Sequence, residues 1–230
     1  MFAVILKELR ATAWVVALGA AAFAWFLSEL CGVSGVTRGW FPTYDWSYQF
    51  VQPGWLLWWG FVSAGFAGSL GLVMSLNDGV RGMWAFVLYR PISRRKYIGA
   101  KLLVGSCLTV AMVGIPALVF LWWSSIPGSL PMPFDWSFAQ PAFESIGWAV
   151  VVFLGGFLSG IRPASWWWSR LWPLGATVIL GLWFWWLGSM PNQLPASLTP
   201  TVAQYWGLCV IAAGMLVTSI LHVVDERGFA

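Results

Sequence analysis

Six apolar stretches of about 18 to 22 residues set the main constraint on how this chain can fold. A helix needs about 20 apolar residues to cross the ~30 Å hydrocarbon core of a bilayer. Hydrophobic residues make up 60% of the 230 residues and charged residues 9%, so lipid fits this chain better than water. The stretches lie at about 11–31, 55–76, 102–123, 144–161, 172–189 and 204–224. We therefore predict an all-α integral membrane protein, a single transmembrane domain over 1–230 with six transmembrane helices.

Lys and Arg are distributed very unequally between the two sides of these six spans. One side receives eleven of the twelve, and the other side receives only Arg38. Because cytoplasmic loops carry the excess of Lys and Arg, we predict that both termini are cytoplasmic and that the chain lies in the cell (inner or plasma) membrane.

Several functional classes find no support in the sequence. The single histidine and the three scattered cysteines offer no metal-ligand pattern, so we expect no metal site. The chain has no Gly-x-x-x-x-Gly-Lys-Ser/Thr motif and should not hydrolyse ATP alone. Basic residues are not interleaved with exposed polar sequence, so nucleic acid is not an expected partner. We predict no catalytic and no cofactor-binding residues in this chain.

The interval 77–101 is the longest charged segment between apolar stretches and holds six of the Lys and Arg residues. Its apolar residues follow the i, i+3, i+4, i+7, i+8 spacing of an amphipathic helix, with Arg81 and Ala85 on the other side. Pro91 should end this helix at about Arg90, and Ser93 can cap a second helix that leads into span three. The apolar positions are Val80, Met83, Trp84, Val87 and Leu88.

The run from Arg90 to Leu103, RPISRRKYIGAKLL, resembles the loop between spans two and three in membrane subunits of type-2 ATP-binding-cassette exporters. In that family an acidic residue and a glycine precede the loop helix, and Asp78 and Gly82 stand near those positions. The start Lys7-Glu8-Leu9-Arg10 is similar to the family's N-terminal interface helix, and six spans with cytoplasmic termini match its architecture.

The resemblance implies a permease subunit that forms a translocation path with a second copy or a second permease in the membrane lipids. Its short amphipathic coupling helix would dock on a separate ATPase subunit, which binds ATP and Mg. The docking residues would be Asp78, Arg81, Met83, Trp84, Val87, Leu88, Arg90, Pro91, Ser93, Arg94, Arg95 and Lys96.

Two other functions remain open. Gly32-Val33-Ser34-Gly35 and His222 fit the nucleophile and base of a rhomboid-like intramembrane serine protease, but Ser34 and His222 should lie at opposite ends of their spans, about 30 Å apart. The chain could also be a non-transporting membrane scaffold, in which 77–101 is only a basic flank.

Two local features have alternative interpretations. Small residues at four-residue spacing on span two (Gly60, Ala64, Gly68) and span four (Gly156, Gly160) predict close helix packing, either within one subunit or at a dimer interface. Residues 1–10 form either a separate interfacial helix or the basic flank of span one.

Overall fold

The fold is all-helical over the residues that the structure describes. The structure, a computed structural model, describes residues 2–31, 53–80, 94–126, 140–162, 166–188 and 202–226. These residues form six α-helices and no strand. The helices are α1 (Phe2–Leu30), α2 (Pro53–Val80), α3 (Arg94–Ser124), α4 (Gln140–Ile161), α5 (Trp167–Gly188) and α6 (Val202–Glu226).

Five of the six described helices are long and apolar enough to cross a membrane, the exception being α5. Their outward faces carry large apolar side chains, among them Leu18, Trp122 and Val210, which are each more than 60% exposed. Apolar faces of this extent are compatible with a multi-pass membrane protein, because acyl chains would cover them.

Consecutive helices run in opposite directions. At one end of the bundle, Glu8 near the start of α1 lies beside Lys101 near the start of α3, and Arg95 of α3 contacts Asp225 near the end of α6. At the opposite end, Trp59 near the start of α2 donates a hydrogen bond to Ser145 near the start of α4. The first and last described helices therefore have their terminal ends on the same side of the bundle, which we call the basic end.

α4 occupies the centre of the bundle. It packs against α2, α3, α5 and α6, and most extensively against α2. Every residue from Val151 through Ile161 is buried, so the half of this helix that ends at the basic end is covered on all sides. A helix that is apolar all round belongs in such a position, since it has no polar face to turn outward.

Small residues let α2 and α4 approach until their backbones touch. A Cβ on Gly71 would lie 2.7 Å from Phe157 N, and one on Gly156 would lie 2.5 Å from Gly68 O. Both distances are shorter than side-chain carbons tolerate, so these positions accept only glycine without a shift of a helix. The glycines predicted to mediate close packing thus do so within one chain. Gly60 takes no part, because nothing lies within 4 Å of its Cβ position.

The helices extend beyond the predicted spans at the basic end. α1 is continuous from Phe2, which favours a flank of span one over a separate interfacial helix for the start of the chain. α3 begins at Arg94, eight residues before predicted span three, and the predicted capping residue Ser93 lies outside the described residues. The prolines Pro116 and Pro173 lie inside α3 and α5.

Candidate functional site at the basic end of the bundle

The two helix ends that flank the predicted docking segment, the end of α2 and the start of α3, lie at the basic end. Asp78 belongs to the last turn of α2, and Arg94, Arg95 and Lys96 form the first turn of α3. The other predicted docking residues lie outside the described residues: Arg81, Met83, Trp84, Val87, Leu88, Arg90, Pro91 and Ser93. The predicted coupling helix over these positions therefore stays a prediction.

Two of the three basic residues in the first turn of α3 are exposed, and one of them is paired. Arg95 Nη2 donates to Asp225 Oδ2 at 2.6 Å, and Arg95 Nε donates to Asp225 Oδ1 at 3.2 Å. This two-point contact links α3 to α6 across the basic end, although the Arg95 side chain is 69% exposed. Lys96 is also exposed, whereas Arg94 is half-buried.

Lys101 bridges three helices from a fully buried position. Its Nζ donates a hydrogen bond to the backbone oxygen of Met74 on α2 at 2.8 Å, and it lies 3.3 Å from Glu8 Oε1 on α1. The side chains of Lys101 and Glu8 are 1% and 2% exposed. Burial of a charge is costly unless an opposite charge and hydrogen bonds compensate for the lost water. Glu8 and the Met74 carbonyl supply that compensation, and we call this set of three residues the Lys101 joint.

Tyr97 and Lys7 lie next to the Lys101 joint. Lys7 Nζ donates to the Tyr97 hydroxyl at 3.4 Å and lies 3.7 Å from Glu8 Oε1. The Lys101 ammonium lies 5.4 Å from the centre of the Tyr97 ring, within the range of a cation–π contact. Glu8 thus has a cation on each side, although its Oε1 accepts no hydrogen bond from the described residues. The Lys101 hydrogen bond is directed to Met74 instead.

Arg170 connects α5 to the end of α4 by hydrogen bonds at the basic end. Its Nη2 donates to Gly160 O at 2.8 Å and its Nε donates to Ser159 O at 3.3 Å, so it satisfies carbonyls at the end of α4. Ser159 Oγ in turn accepts the backbone N–H of Leu174 at 3.0 Å. The neighbouring Pro173 disturbs the regular hydrogen-bonding of α5, and Ser159 supplies an acceptor there.

Of the two residues of the protease hypothesis, only His222 lies among the described residues. His222 lies at the basic end, where its Nε2 is 3.1 Å from Glu226 Oε1. Cys31, the last described residue before Ser34, follows the other end of α1, a helix of 29 residues that is about 43 Å long at 1.5 Å per residue. Ser34 itself lies outside the described residues.

The described residues hold no group of three or more His, Cys, Asp or Glu that could bind a metal ion. At the basic end, ion pairs and hydrogen bonds connect the ends of neighbouring helices. Lys101 connects α1, α2 and α3, Arg95 connects α3 and α6, and Arg170 connects α4 and α5. Each of the six described helices takes part in at least one of these polar contacts.

Sequence reasoning did not find the pairing of Glu8 with Lys101. The count of basic residues in 77–101 does not distinguish Lys101 from the others, although Tyr97, Ile98 and Ala100, which precede it in the same helix, are buried. A lysine among apolar residues needs a buried partner, and Glu8 is the only carboxylate in the first 28 residues. The need of a buried lysine for a carboxylate partner is therefore the sequence signal that could have identified this pair.

The chain was also compared with known proteins. No model of a protein family, no sequence of a curated protein and no solved structure matches it.

Proposed function

We propose that the chain is the transmembrane subunit of an ATP-binding-cassette exporter, which forms a translocation path and is driven by a separate ATPase subunit. It has six spans in the cell membrane, with both termini and the basic end in the cytoplasm. The unequal distribution of Lys and Arg supports this orientation. The ATPase subunit binds ATP and Mg, and the membrane subunit pairs with a second copy or with another permease.

The observation that carries the proposal is the position of the segment between α2 and α3. It leaves α2 after Val80 and enters α3 at Arg94, and the Lys101 joint ties both helices together close to these ends. A force applied to the segment would therefore act on two anchored helices and not on a loose loop. The sequence motif that resembles the family's coupling loop begins in this segment at Arg90 and continues into α3 as far as Leu103.

The length and the packing of α5 support a sixth crossing. Arg170 near its start contacts Gly160 at the basic end. Farther along the helix, the Cβ position of Gly181 touches the side chain of Trp148 on α4. A helix of 22 residues is about 33 Å long, which is enough to cross the hydrocarbon core.

The test is association with the ATPase subunit. Trp84→Asp combined with Leu88→Asp places two charges on the predicted apolar face of the coupling helix and should abolish co-purification of the ATPase. Ala85→Asp places a charge on the opposite face of the same helix and should leave co-purification unchanged. Mass spectrometry of the purified membrane complex identifies the ATPase, and circular dichroism confirms that each variant remains helical.

Equal recovery of the ATPase with all three proteins would refute docking through this face. If the wild-type chain recruits no ATPase at all, the non-transporting scaffold becomes the better interpretation. Thiol labelling of Ala85→Cys from the outside of intact cells, in a chain whose native cysteines are replaced, would place the segment on the wrong side and refute the orientation.

A further inference from the structure

We infer that Glu8 and Lys101 are positioning residues that fix α1 to the α2–α3 hairpin and carry movement of residues 81–93 into α1. This inference extends the proposed function, in which the segment was connected to α2 and α3 only. It begins from a buried ion pair that neither a catalytic nor a ligand-binding role explains.

The geometry makes one ammonium group the shared contact of three helices. Lys101 belongs to α3. Its Nζ forms an ion pair with Glu8 Oε1 on α1 at 3.3 Å and donates a hydrogen bond to Met74 O on α2 at 2.8 Å. Met74 lies six residues before the end of α2, and Lys101 lies seven residues after the start of α3. The ammonium group of Lys101 therefore contacts both helices that flank residues 81–93, at about 10 Å along each helix axis from the end of α2 and from the start of α3.

The chemistry of the pair indicates why it is charged. Apolar side chains of similar volume would stabilise the buried contact as well, because an ion pair must first lose its water. Apolar contacts, however, leave helices free to slide along one another, since a neighbouring apolar side chain can replace the first. A single buried charge pair has only one register in which both charges are compensated.

Neighbouring contacts allow α1 to move with the hairpin. α1 packs against α2 and α3 along its length, where Phe23 and Phe26 contact Trp59 at the other end of the bundle. With its basic end held by Glu8, α1 would follow a displacement of α3 as a rigid helix. The three helices would then form one mechanical unit that begins at the predicted docking segment.

The first experiment measures the register of α1 against α3 in the purified membrane subunit without any ATPase. Spin labels replace Trp25 on α1 and Leu103 on α3, two exposed residues separated by roughly 20 Å along the bundle axis, in a chain whose native cysteines are replaced. Double electron–electron resonance then reports their distance distribution. Glu8→Leu with Lys101→Met keeps the contact apolar and filled and removes both charges.

We expect the double variant to broaden the distance distribution at least twofold, with a population displaced by about one helical turn of 5.4 Å. The matched control is Arg95→Gln with Asp225→Asn, which removes the exposed ion pair between α3 and α6 at the same end. That control should leave the distribution between α1 and α3 unchanged. An unchanged distribution in the Glu8 and Lys101 variant would overturn the inference.

Glu8→Gln serves if the double variant does not fold, because it preserves the shape of the side chain and the hydrogen bond from Lys101 to Met74. It should broaden the distance between α1 and α3 while a second pair of labels, on α2 and α3, reports no change. Broadening of both distances, or of neither, would contradict a specific role of Glu8.

The second experiment uses the complex with the ATPase subunit trapped by ATP and vanadate. In the wild type the distance between the labels on α1 and α3 should stay constant on trapping, because the helices move together. In the double variant the distance should change by several ångströms. Failure to obtain any complex would count against the proposed function alone, since the register measured without the ATPase tests the joint by itself.

Discussion

Gly71→Ala provides the sharpest test of the packing that holds this bundle together. The added methyl group would meet the backbone of α4 at Phe153 O, at Phe157 N (2.7 Å) and at Gly156 C (3.1 Å). Ordinary carbon contacts begin at 3.4 Å, so α2 and α4 would have to separate by about 0.7 Å or more. The contacted atoms belong to the backbone of α4 and cannot rotate away as a side chain would.

The energetic cost follows from that separation. Overpacking of a closely packed site costs about 1–3 kcal/mol, and a gap of 0.5–1 Å forfeits about a quarter to a half of the dispersion attraction of the atoms that line it. Replacement of glycine by alanine within a helix returns about 0.5–1 kcal/mol. We therefore expect a net loss of about 1–2 kcal/mol in the free energy of unfolding.

Gly65→Ala is the matched control, since it lies on the same helix six residues earlier, is exposed, and has nothing within 4 Å of its Cβ position. It should leave stability unchanged or raise it slightly. Unfolding of each variant in mixed micelles by titration with dodecyl sulfate, followed by far-ultraviolet circular dichroism, measures both. If Gly71→Ala unfolded at the same dodecyl sulfate fraction as Gly65→Ala, the backbone contact between α2 and α4 would be disproved.

Two further substitutions test single contacts at the two ends of the bundle. Arg170→Gln should destabilise the protein by about 1–3 kcal/mol in the same titration, because it removes a charged donor from the carbonyls at the end of α4. Arg162→Gln, a substitution at an exposed position, should have almost no effect. Identical unfolding curves for these two variants would contradict the capping role of Arg170. Tyr205→Phe removes the hydrogen bond from the Tyr205 hydroxyl to Glu144 O (2.7 Å) and should cost about 0.5–1.5 kcal/mol, whereas an unchanged midpoint would show that this contact contributes nothing.

The helical architecture could be predicted from the sequence because its signal is local. Runs of about 20 apolar residues can only be helices in lipid, and the described helices cover all six predicted spans apart from a residue or two at their ends. A helix start after Ser93 is predicted from an equally local signal, a proline and a capping residue before a basic turn, and it stays a prediction because both residues lie outside the described residues. The number of crossings and their orientation remain predictions that concern the membrane itself.

The contacts between helices could not be predicted in the same way. Gly68 and Gly156 both showed the spacing of a close-packing face, but spacing does not say which helix, or which chain, lies opposite. Glu8 and Lys101 are 93 residues apart, so neither residue's local pattern names its partner. Most of the predicted docking residues lie outside the described residues, so the amphipathic helix predicted from their apolar spacing stays a prediction.

The central position of α4 has a consequence for how the bundle assembles. A ribosome delivers the chain from its N-terminus, so α1, α2 and α3 are synthesised before the helix that packs beside them. Until α4 is present, the face of α2 that contains Gly68 and Gly71 lacks the helix backbone that it contacts in the complete fold. The contacts between α2 and α4 therefore form only after the fourth helix is synthesised, and α5 and α6 then cover the remaining sides of α4.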